Sequence, residues 1–282
     1  MTENLAGALR AVAEQVVSEA AESVRGRQIE MSGTSGTPVA AMRTKSSPTD
    51  PVTVVDTETE QLIRTRLAQL RPGDAILGEE GGTETVDRGA VRWVVDPIDG
   101  TVNFIYGIPA YAVSVAAQLN GDSVAGAVAD VAGGDVYSAG LGLGAHVLAR
   151  GVRSRLRCSG VDDLSMALVG TGFGYEAPRR AAQAALLAQM LPLMRDVRRI
   201  GSAALDLCMV AAGRLDAYYE HGLNVWDWAA GALIAAEAGA VLVLPGADEP
   251  GTDGRLLVAA APGVAGQLIA ALDGFAGLAP LP

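Results

Sequence analysis

The stretch Trp93-Val-Val-Asp96-Pro-Ile-Asp99-Gly-Thr101-Val-Asn-Phe104 contains an apolar run that ends in two carboxylates, a glycine and a hydroxyl. The aromatic and β-branched side chains of the run predict a buried strand. Pro97 cannot donate a backbone hydrogen bond, so we expect the strand to end there and to leave Asp96 at its tip. Asp99 is a good N-cap and predicts that a helix begins at the following glycine and threonine.

The same junction is suited to bind a cation and a phosphate. Free N–H groups at the start of a helix can bind a phosphate. Asp96 and Asp99 would repel each other and the phosphate unless a divalent cation lay between them. Taken alone, the stretch fits an ordinary strand, turn and capped helix equally well. Other parts of the chain have to separate these two interpretations.

Composition limits the chemistry available to the chain. Half of its 282 residues are hydrophobic, which indicates a globular protein with a substantial core. Two histidines exclude a site built on clustered histidines, so oxygen ligands are favoured, and with them magnesium, manganese or calcium. Cys158 and Cys208 form neither a disulfide framework nor a metal motif, and we expect a reduced, cytoplasmic setting.

Charge and hydropathy exclude further classes of protein. The net charge of -11 argues against direct nucleic-acid binding, although it allows a small anionic substrate. The first six residues lack the basic start and apolar core of a signal peptide. The most apolar stretch, residues 226–244, is interrupted by Asp227, Glu237 and two glycines, which is atypical of a membrane span. We therefore expect no membrane partner.

Periodicity predicts a first half, residues 1–158, of the α+β type. It should contain helices over 4–25, ending near Gly26, and over 56–70, a strand over 75–77 and an antiparallel meander over 111–157. Residues 31–51, which include Lys45 and Asp50, are predicted to form a loop.

The second half, residues 159–282, alternates strands and helices, which implies helices packed on a sheet. No long linker separates the halves, so we expect one compact unit. The predicted strands are 167–171, 197–200, 217–219, 241–244 and 256–260, and the predicted helices are 179–194 and those that begin at 202, after 226 and at 263.

Three acidic segments occur among apolar neighbours, and they are Gly78-Glu79-Glu80, Asp96-Pro-Ile-Asp99-Gly-Thr101 and Val225-Trp226-Asp227-Trp228-Ala-Ala-Gly231. Asp227 alone fits a simple N-cap, but an unpaired carboxylate between two tryptophans would be costly to bury. In order and spacing the segments resemble the G-E-E, D-P-I-D-G-T-x-N-F and W-D-x-A-A-G patterns of the inositol monophosphatase family. The resemblance covers nearly the whole chain and is greatest to the bacterial inositol-1-monophosphatases of the SuhB type.

This resemblance implies an α/β (α+β) layered sandwich, the αβαβα sugar-phosphatase fold, with a mixed sheet in the N-terminal half, an α/β C-terminal half and the active site between them. It also implies homodimers and lithium sensitivity. Two or three Mg²⁺ ions, with Mn²⁺ as a substitute, would be held by Glu79, Asp96, Asp99, Asp227 and the backbone carbonyl of Ile98. Such ions polarise phosphoryl oxygens and activate water.

In the family the nucleophile is a water molecule. By resemblance, Thr101 supported by Asp56 would orient that water and help take its proton, with Glu79 in the same catalytic group. The backbone N–H groups of Gly100 and Thr101 would hold the phosphate. From the residues alone, Asp56 fits a helix N-cap equally well.

The resemblance also implies a substrate pocket around Glu220, which matches the residue that hydrogen-bonds inositol hydroxyls in relatives. A carboxylate can accept hydrogen bonds from two hydroxyls. Asp99, Asp227, Gly100, Thr101 and the turn Gly201-Ser202-Ala203 would complete the binding set. From the residues alone, Glu220 fits a solvated acid at a strand end, and Lys45 fits either a phosphate or metal-loop contact or a solvated lysine.

Two departures from the family pattern lie near this pocket. Asn224 stands where animal enzymes carry histidine, and Trp228 is bulkier than the residue common after this aspartate. The sequence therefore predicts a Mg²⁺-dependent phosphomonoesterase for inositol 1-phosphate and related polyol or sugar phosphates. Fructose-1,6-bisphosphate, histidinol phosphate and nucleotide 3′-phosphates remain open as alternative substrates. A regulatory role through a protein partner also remains open, because some bacterial relatives bind the transcription machinery.

Overall fold

The structure is a computed structural model that describes residues 3–33, 43–44, 51–52, 54–83 and 89–282. The predicted contact Lys45, together with Asp50, lies outside these residues. The helices of the described part are α1 (Glu3–Gly33), α2 (Val54–Leu70), α3 (Thr101–Tyr106), α4 (Ala177–Met190), α5 (Ala203–Ala211), α6 (Val225–Glu237) and α7 (Pro262–Gly274).

The strands fall into three groups along the chain. The first six are β1 (Arg43–Thr44), β2 (Pro51–Val52), β3 (Ala75–Gly78), β4 (Gly82–Thr83), β5 (Val91–Asp99) and β6 (Ala112–Leu119). The next four are β7 (Asp122–Asp130), β8 (Val136–Gly140), β9 (Ala145–Ala149) and β10 (Val152–Arg155). The last five are β11 (Leu168–Thr171), β12 (Asp196–Arg198), β13 (Ala217–His221), β14 (Val241–Val243) and β15 (Leu256–Ala260).

An eight-stranded mixed sheet has the order β10-β9-β8-β7-β6-β5-β3-β4. Its strands β6 to β10 form the antiparallel meander predicted for residues 111–157. At the first hairpin, Asn120 and Gly121 have φ angles of 53° and 92°, as a tight two-residue hairpin requires. Strand β3 runs parallel to β5 and antiparallel to β4.

A second sheet has five strands in the order β12-β11-β13-β15-β14. Its first three strands are parallel, and β15 runs antiparallel to β13 and β14. The predicted elements of the second half are present with their ends shifted by a few residues.

The helices and sheets form five layers. α1 and α2 cover one face of the eight-stranded sheet, α5 and α6 lie between the two sheets, and α4 and α7 cover the far face of the five-stranded sheet. Trp93 and Val95 pack in the apolar core beneath α1 and α2, and Val94 packs in the apolar core around α5 and α6. Both faces of β5 are therefore buried, which explains its uninterrupted apolar sequence. The predicted αβαβα fold class is confirmed.

The structure corrects three predicted boundaries. α1 passes through Gly26 to Gly33, because a glycine weakens a helix without ending it. The predicted loop 31–51 includes the end of this helix and the strand β1, which pairs with β2 in a short ladder. β5 continues through Pro97, and its register against β6 shifts between Asp96 and Asp99, an irregularity that tolerates proline. Asp96 thus lies inside the strand.

Among the described helices, none combines the length and apolarity that crossing a bilayer demands.

Helix α6 is held from two sides by close approaches of its backbone. A Cβ atom on Gly231 would lie 2.8 Å from Leu207 Cβ of α5. On the other side, a Cβ atom on Gly126 of β7 would lie 3.0 Å from Ala230 Cα of α6. Glycine at these positions allows α6 to lie closer to both neighbours than a side chain would permit.

We predict opposite effects for two glycine substitutions within helices. Gly231→Ala should lower the free energy of unfolding by about 1–3 kcal/mol, because the new methyl group overpacks against Leu207. Gly26→Ala should raise it by roughly 0.5–1 kcal/mol, since within the described residues nothing outside the adjacent helix backbone lies within 4 Å of the added Cβ. Denaturant unfolding of both variants would measure the difference, and equal effects would contradict the close α5–α6 contact.

Candidate active site

Three carboxylates converge at the predicted metal site. Asp96 and Asp99 at the end of β5 and Asp227 in the first turn of α6 each place an oxygen within 4.8 Å of the other two. Burial, followed by the charges of Glu79 and Asp99, raises the pKa of Asp227 well above its usual range. Carboxylates this close repel one another, and an all-oxygen donor set fits a hard divalent cation such as Mg²⁺ or Mn²⁺.

Glu79 lies on the turn after β3 and lines the same cavity as the three aspartates. Among the described residues it does not join the group whose oxygens are all within 4.8 Å. Its turn is built on Glu60 of α2, whose buried carboxylate accepts a hydrogen bond of 2.8 Å from the Glu80 backbone N–H. Cβ atoms on Gly78 and Gly81 would collide with that carboxylate. α2 therefore positions Glu79.

Thr101 and Asp56 are brought together as predicted from the resemblance. Thr101 Oγ1 lies 3.2 Å from Asp56 Oδ1 and 3.0 Å from the Ile98 carbonyl oxygen, and it can donate its single proton to only one of them at a time. Asp56 is fully buried in the first turn of α2, and this helix begins at Val54.

The prediction that Asp99 caps the following helix is wrong. Gly100 occupies the N-cap position of α3 with a φ of 95°, which favours glycine. Asp99 Oδ2 instead accepts hydrogen bonds from Ser202 Oγ at 2.6 Å and from the Ala204 backbone N–H at 2.7 Å. Burial raises the pKa of Asp99 to about 6, against the opposing effect of these bonds. Asp99 therefore joins β5 to the start of α5.

Asn103, on the short helix α3 that follows β5, makes a second connection to the second half of the chain. Its Nδ2 donates to the carbonyl oxygens of Ala110 at 2.7 Å and Ile200 at 2.9 Å. The sequence analysis quoted Asn103 within the D-P-I-D-G-T-x-N-F pattern without assigning it a role, although its fixed place in that pattern was the available signal.

Asp227 is not the N-cap that its position suggested. Asn224 is the N-cap of α6, and Asp227 Oδ2 accepts a hydrogen bond of 2.6 Å from the Asn224 backbone N–H. Asn224 Oδ1 in turn accepts a hydrogen bond of 2.9 Å from the Gly251 backbone N–H. The departure from histidine at position 224 thus places an amide at the cavity wall that anchors a neighbouring loop.

The candidate site is a cavity of about 370 Å³, a volume suited to a small molecule. All predicted site side chains except that of Asp56 line it, and Asp56 lies behind Thr101. Trp228 belongs to the apolar core between the sheets, so its bulk does not narrow the cavity. The lining residues from the predicted set are Glu79, Asp96, Ile98, Asp99, Gly100, Thr101, Gly201, Ser202, Ala203, Glu220 and Asp227.

Sequence reasoning missed several residues of this cavity. The exposed Arg199 lowers the pKa values of Asp99 and Glu220, which burial raises. The signal for it was the pair Arg198-Arg199, which only Ile200 separates from the predicted binding turn. The other missed lining residues with large side chains are Phe173, Tyr175, Arg179 and Trp226.

Asp206 is a buried carboxyl group behind the cavity that the sequence analysis also missed. It lies on α5 with 1% of its surface exposed, and its Oδ1 has no hydrogen-bond partner among the residues that the structure describes. Burial, followed by the charges of Glu220 and Asp99, raises the pKa of Asp206 well above its usual range. The environment therefore favours its neutral form.

We predict that the stability of the Asp206→Asn variant, relative to that of the original protein, increases as the pH rises. A pKa raised in the folded state means that folding binds a proton, so the contribution of Asp206 is complete below the pKa of the unfolded chain and declines as pH rises through the folded value. Asparagine does not titrate, so the melting temperature of the variant relative to the original protein should rise from pH 4 to pH 8. The exposed Asp122→Asn is the control, and a flat difference for Asp206→Asn would contradict the prediction.

Comparisons with known proteins identify relatives of this chain over nearly its whole length. The model of the inositol monophosphatase family matches residues 2–274. The inositol-1-monophosphatase of Mycobacterium leprae is 66% identical over 279 residues, which cover 97% of this chain and 96% of that protein. The solved structure of Mycobacterium tuberculosis SuhB matches with a TM-score of 0.81 and 62% identity, covering 96% of this chain and 97% of that one. A relative named Nus factor SuhB, from Vibrio cholerae, is 38% identical over 200 residues, covering 71% of this chain and 73% of that protein.

Fold, site and relatives together define a phosphatase that acts on phosphoric monoesters. The chain belongs to the inositol monophosphatase family.

Proposed function

We propose that this phosphatase is a Mg²⁺-dependent enzyme that hydrolyses inositol 1-phosphate, and related polyol and sugar phosphates, to the free alcohol and phosphate. The observation that carries the proposal is the group of three carboxylates within 4.8 Å of one another, set beside a cavity that also contains Glu220. A relative at 66% identity is named for this substrate.

The carboxylates of Glu79, Asp96, Asp99 and Asp227 and the carbonyl of Ile98 would hold two or three Mg²⁺ ions, for which Mn²⁺ can substitute. When bound, these ions supply electrophilic stabilisation of the phosphoryl oxygens and favour deprotonation of the attacking water.

Thr101 and Asp56 would orient that water. When Thr101 Oγ1 donates its proton to Asp56 Oδ1, the hydroxyl oxygen is left as an acceptor for a proton of the water. Glu79 lines the same cavity and offers a further acceptor. The backbone N–H groups of Gly100 and Thr101 would bind the phosphate.

Recognition of the polyol would fall to Glu220 and the turn Gly201-Ser202-Ala203, with Asp99 and Asp227 at their border. Glu220 is partly exposed in the cavity, and a carboxylate can accept hydrogen bonds from two neighbouring hydroxyls. Ser202 donates to Asp99, so the turn and the proposed metal ligands are joined directly.

A phosphate-release assay over a substrate panel tests the proposal. We expect kcat/KM in Mg²⁺ to be highest for inositol 1-phosphate among inositol 1-phosphate, fructose-1,6-bisphosphate, histidinol phosphate and a nucleotide 3′-phosphate. Removal of Mg²⁺ by a chelator should abolish turnover, and Mn²⁺ should restore part of it. Full activity in the chelator would refute the metal assignment, and a higher kcat/KM for another substrate would refute the substrate assignment.

We predict that Asp227→Asn lowers kcat/KM more than the roughly 10–100-fold cost of losing an outer partner of a metal site. The variant should also lose most of the rise in melting temperature that Mg²⁺ gives the original protein, because one carboxylate of the group becomes neutral. The exposed Asp122→Asn should keep both properties. A Mg²⁺ response of Asp227→Asn equal to that of the control would contradict the assignment.

A second role through a protein partner is favoured by the relative named Nus factor SuhB. Pull-down from native lysate with the inactive Asp227→Asn variant tests it, and recovery of no partner beyond those of an unrelated acidic bait would count against it.

Five other properties also stay predictions. They are homodimer formation, a cytoplasmic location, lithium sensitivity, the absence of direct nucleic-acid binding and the division of the chain at residue 158. Light scattering would measure the oligomeric state.

A further inference from the structure

A buried tyrosine lies directly behind the proposed polyol-binding carboxylate. Tyr218 has no exposed surface, and its hydroxyl donates a hydrogen bond of 2.5 Å to Glu220 Oε2. Residues 218 and 220 share one face of β13, because side chains alternate along a strand. That face is turned towards α5, since Tyr218 packs in the core that contains α5 while Tyr219 packs in the opposite core.

Two glycines, one inside the neighbouring strand β11 and one just after it, limit where these side chains can lie. A Cβ atom on Gly172 would lie 1.8 Å from Glu220 Oε2, so only a bare backbone fits beside this carboxylate. Gly170 pairs with Tyr218, and a Cβ atom there would lie 2.8 Å from Asp206 Oδ1 and 3.2 Å from Tyr218 Cδ2. The backbone of β11 and of the residues directly after it therefore forms one wall of the space that holds the tyrosine and both acids.

Charge in this space fixes the direction of the hydrogen bond. Complete burial, followed by the charges of Glu220 and Asp206, raises the pKa of Tyr218 well above its usual range. The hydroxyl therefore keeps its proton, and it donates to Glu220 Oε2 whenever that carboxylate is ionised, above the pKa of about 7 to which burial raises Glu220. With Oε2 engaged in this way, Oε1 is the oxygen of Glu220 that can accept from a ligand in the cavity that this residue lines.

We propose that Tyr218 is a positioning residue that holds Glu220 for the recognition of substrate hydroxyls, and so sets the preference for polyol phosphates over phosphate esters without hydroxyls. This inference rests on the proposed function of Glu220. Without this hydrogen bond, the Glu220 side chain would lose conformational entropy when it binds the substrate, and that loss would reduce the free energy of binding. The fixed carboxylate avoids that cost.

The test compares Tyr218→Phe with Tyr219→Phe. The two tyrosines are adjacent on β13, but Tyr219 faces the opposite core, and its hydroxyl has no hydrogen-bond partner within the described part of the chain. For each variant, kcat and KM are measured in Mg²⁺ with inositol 1-phosphate and with p-nitrophenyl phosphate, which has no hydroxyl groups. Thermal unfolding of each variant monitors the fold.

We expect Tyr218→Phe to lower the ratio of kcat/KM for inositol 1-phosphate to that for p-nitrophenyl phosphate by roughly 10–100-fold, mainly through KM. Tyr219→Phe should leave the ratio unchanged. An unchanged ratio in Tyr218→Phe would overturn the proposal. If kcat/KM falls equally for both substrates, the role of Tyr218 is structural only, and if neither value falls, the hydrogen bond does not serve recognition.

The variant Glu220→Gln separates this proposal from the function on which it rests. If Glu220→Gln lowers the ratio and Tyr218→Phe does not, only the positioning role of Tyr218 fails. If Glu220→Gln leaves the ratio unchanged, the assignment of Glu220 to polyol recognition fails, and the role of Tyr218 fails with it.

Discussion

Repulsion between carboxylates gathered inside the fold is the constraint on which the rest of this structure depends. Asp96, Asp99 and Asp227 lie within 4.8 Å of one another in a largely buried position, where the low dielectric strengthens their mutual repulsion. The charge of Glu220 raises the pKa of Asp227 further. An apolar core offers no interaction that compensates for burying several like charges. The presence of such a group in a folded protein therefore points to a ligand of opposite charge.

The fold lowers this cost by directing donors at individual carboxylates. Asp99 accepts from Ser202 and from a backbone N–H in the first turn of α5, and Asp227 accepts from the backbone at the start of α6. Helix N-termini favour negative charge, so the two central helices act on the site through their ends. Asn103 links α3, the helix directly after the strand that carries two of the acids, to the segment before α5. The two helices between the sheets thus stabilise the carboxylates through their N-terminal ends and also contribute side chains to the apolar core.

Much of this arrangement was predictable from local sequence. The Asn120-Gly121 pair marks its hairpin by residue type alone. For Asp96, Asp99 and Asp227, residue type left a choice between ordinary capped turns and a metal site, and the resemblance to a family pattern selected the group that the structure brings together. Gly26 and Pro97 misled the prediction because packing by the surrounding layers overrides the weak local preference of each residue.

The residues that were missed share one property. Arg199, Asp206 and Tyr218 each act through a contact with another side chain that a single sequence does not show. Arg199 and Asp206 interact with Asp99, which is distant in sequence, and Tyr218 binds Glu220 two residues further along the same strand. Asp99 belongs partly to this group, because its partners at 202 and 204 are about a hundred positions away.

The tight seating of α6 has a consequence for how this enzyme can diversify. With Gly126 on one side and Gly231 against Leu207 on the other, the helix has no room to slide, and Asp227 inherits that fixed position. The cavity rim is different, because Tyr175 is exposed and lies outside the three apolar cores of the described residues. Evolution can exchange such a side chain without moving Asp227 or the two carboxylates of β5. The shape of the cavity mouth can therefore vary around a fixed acidic group.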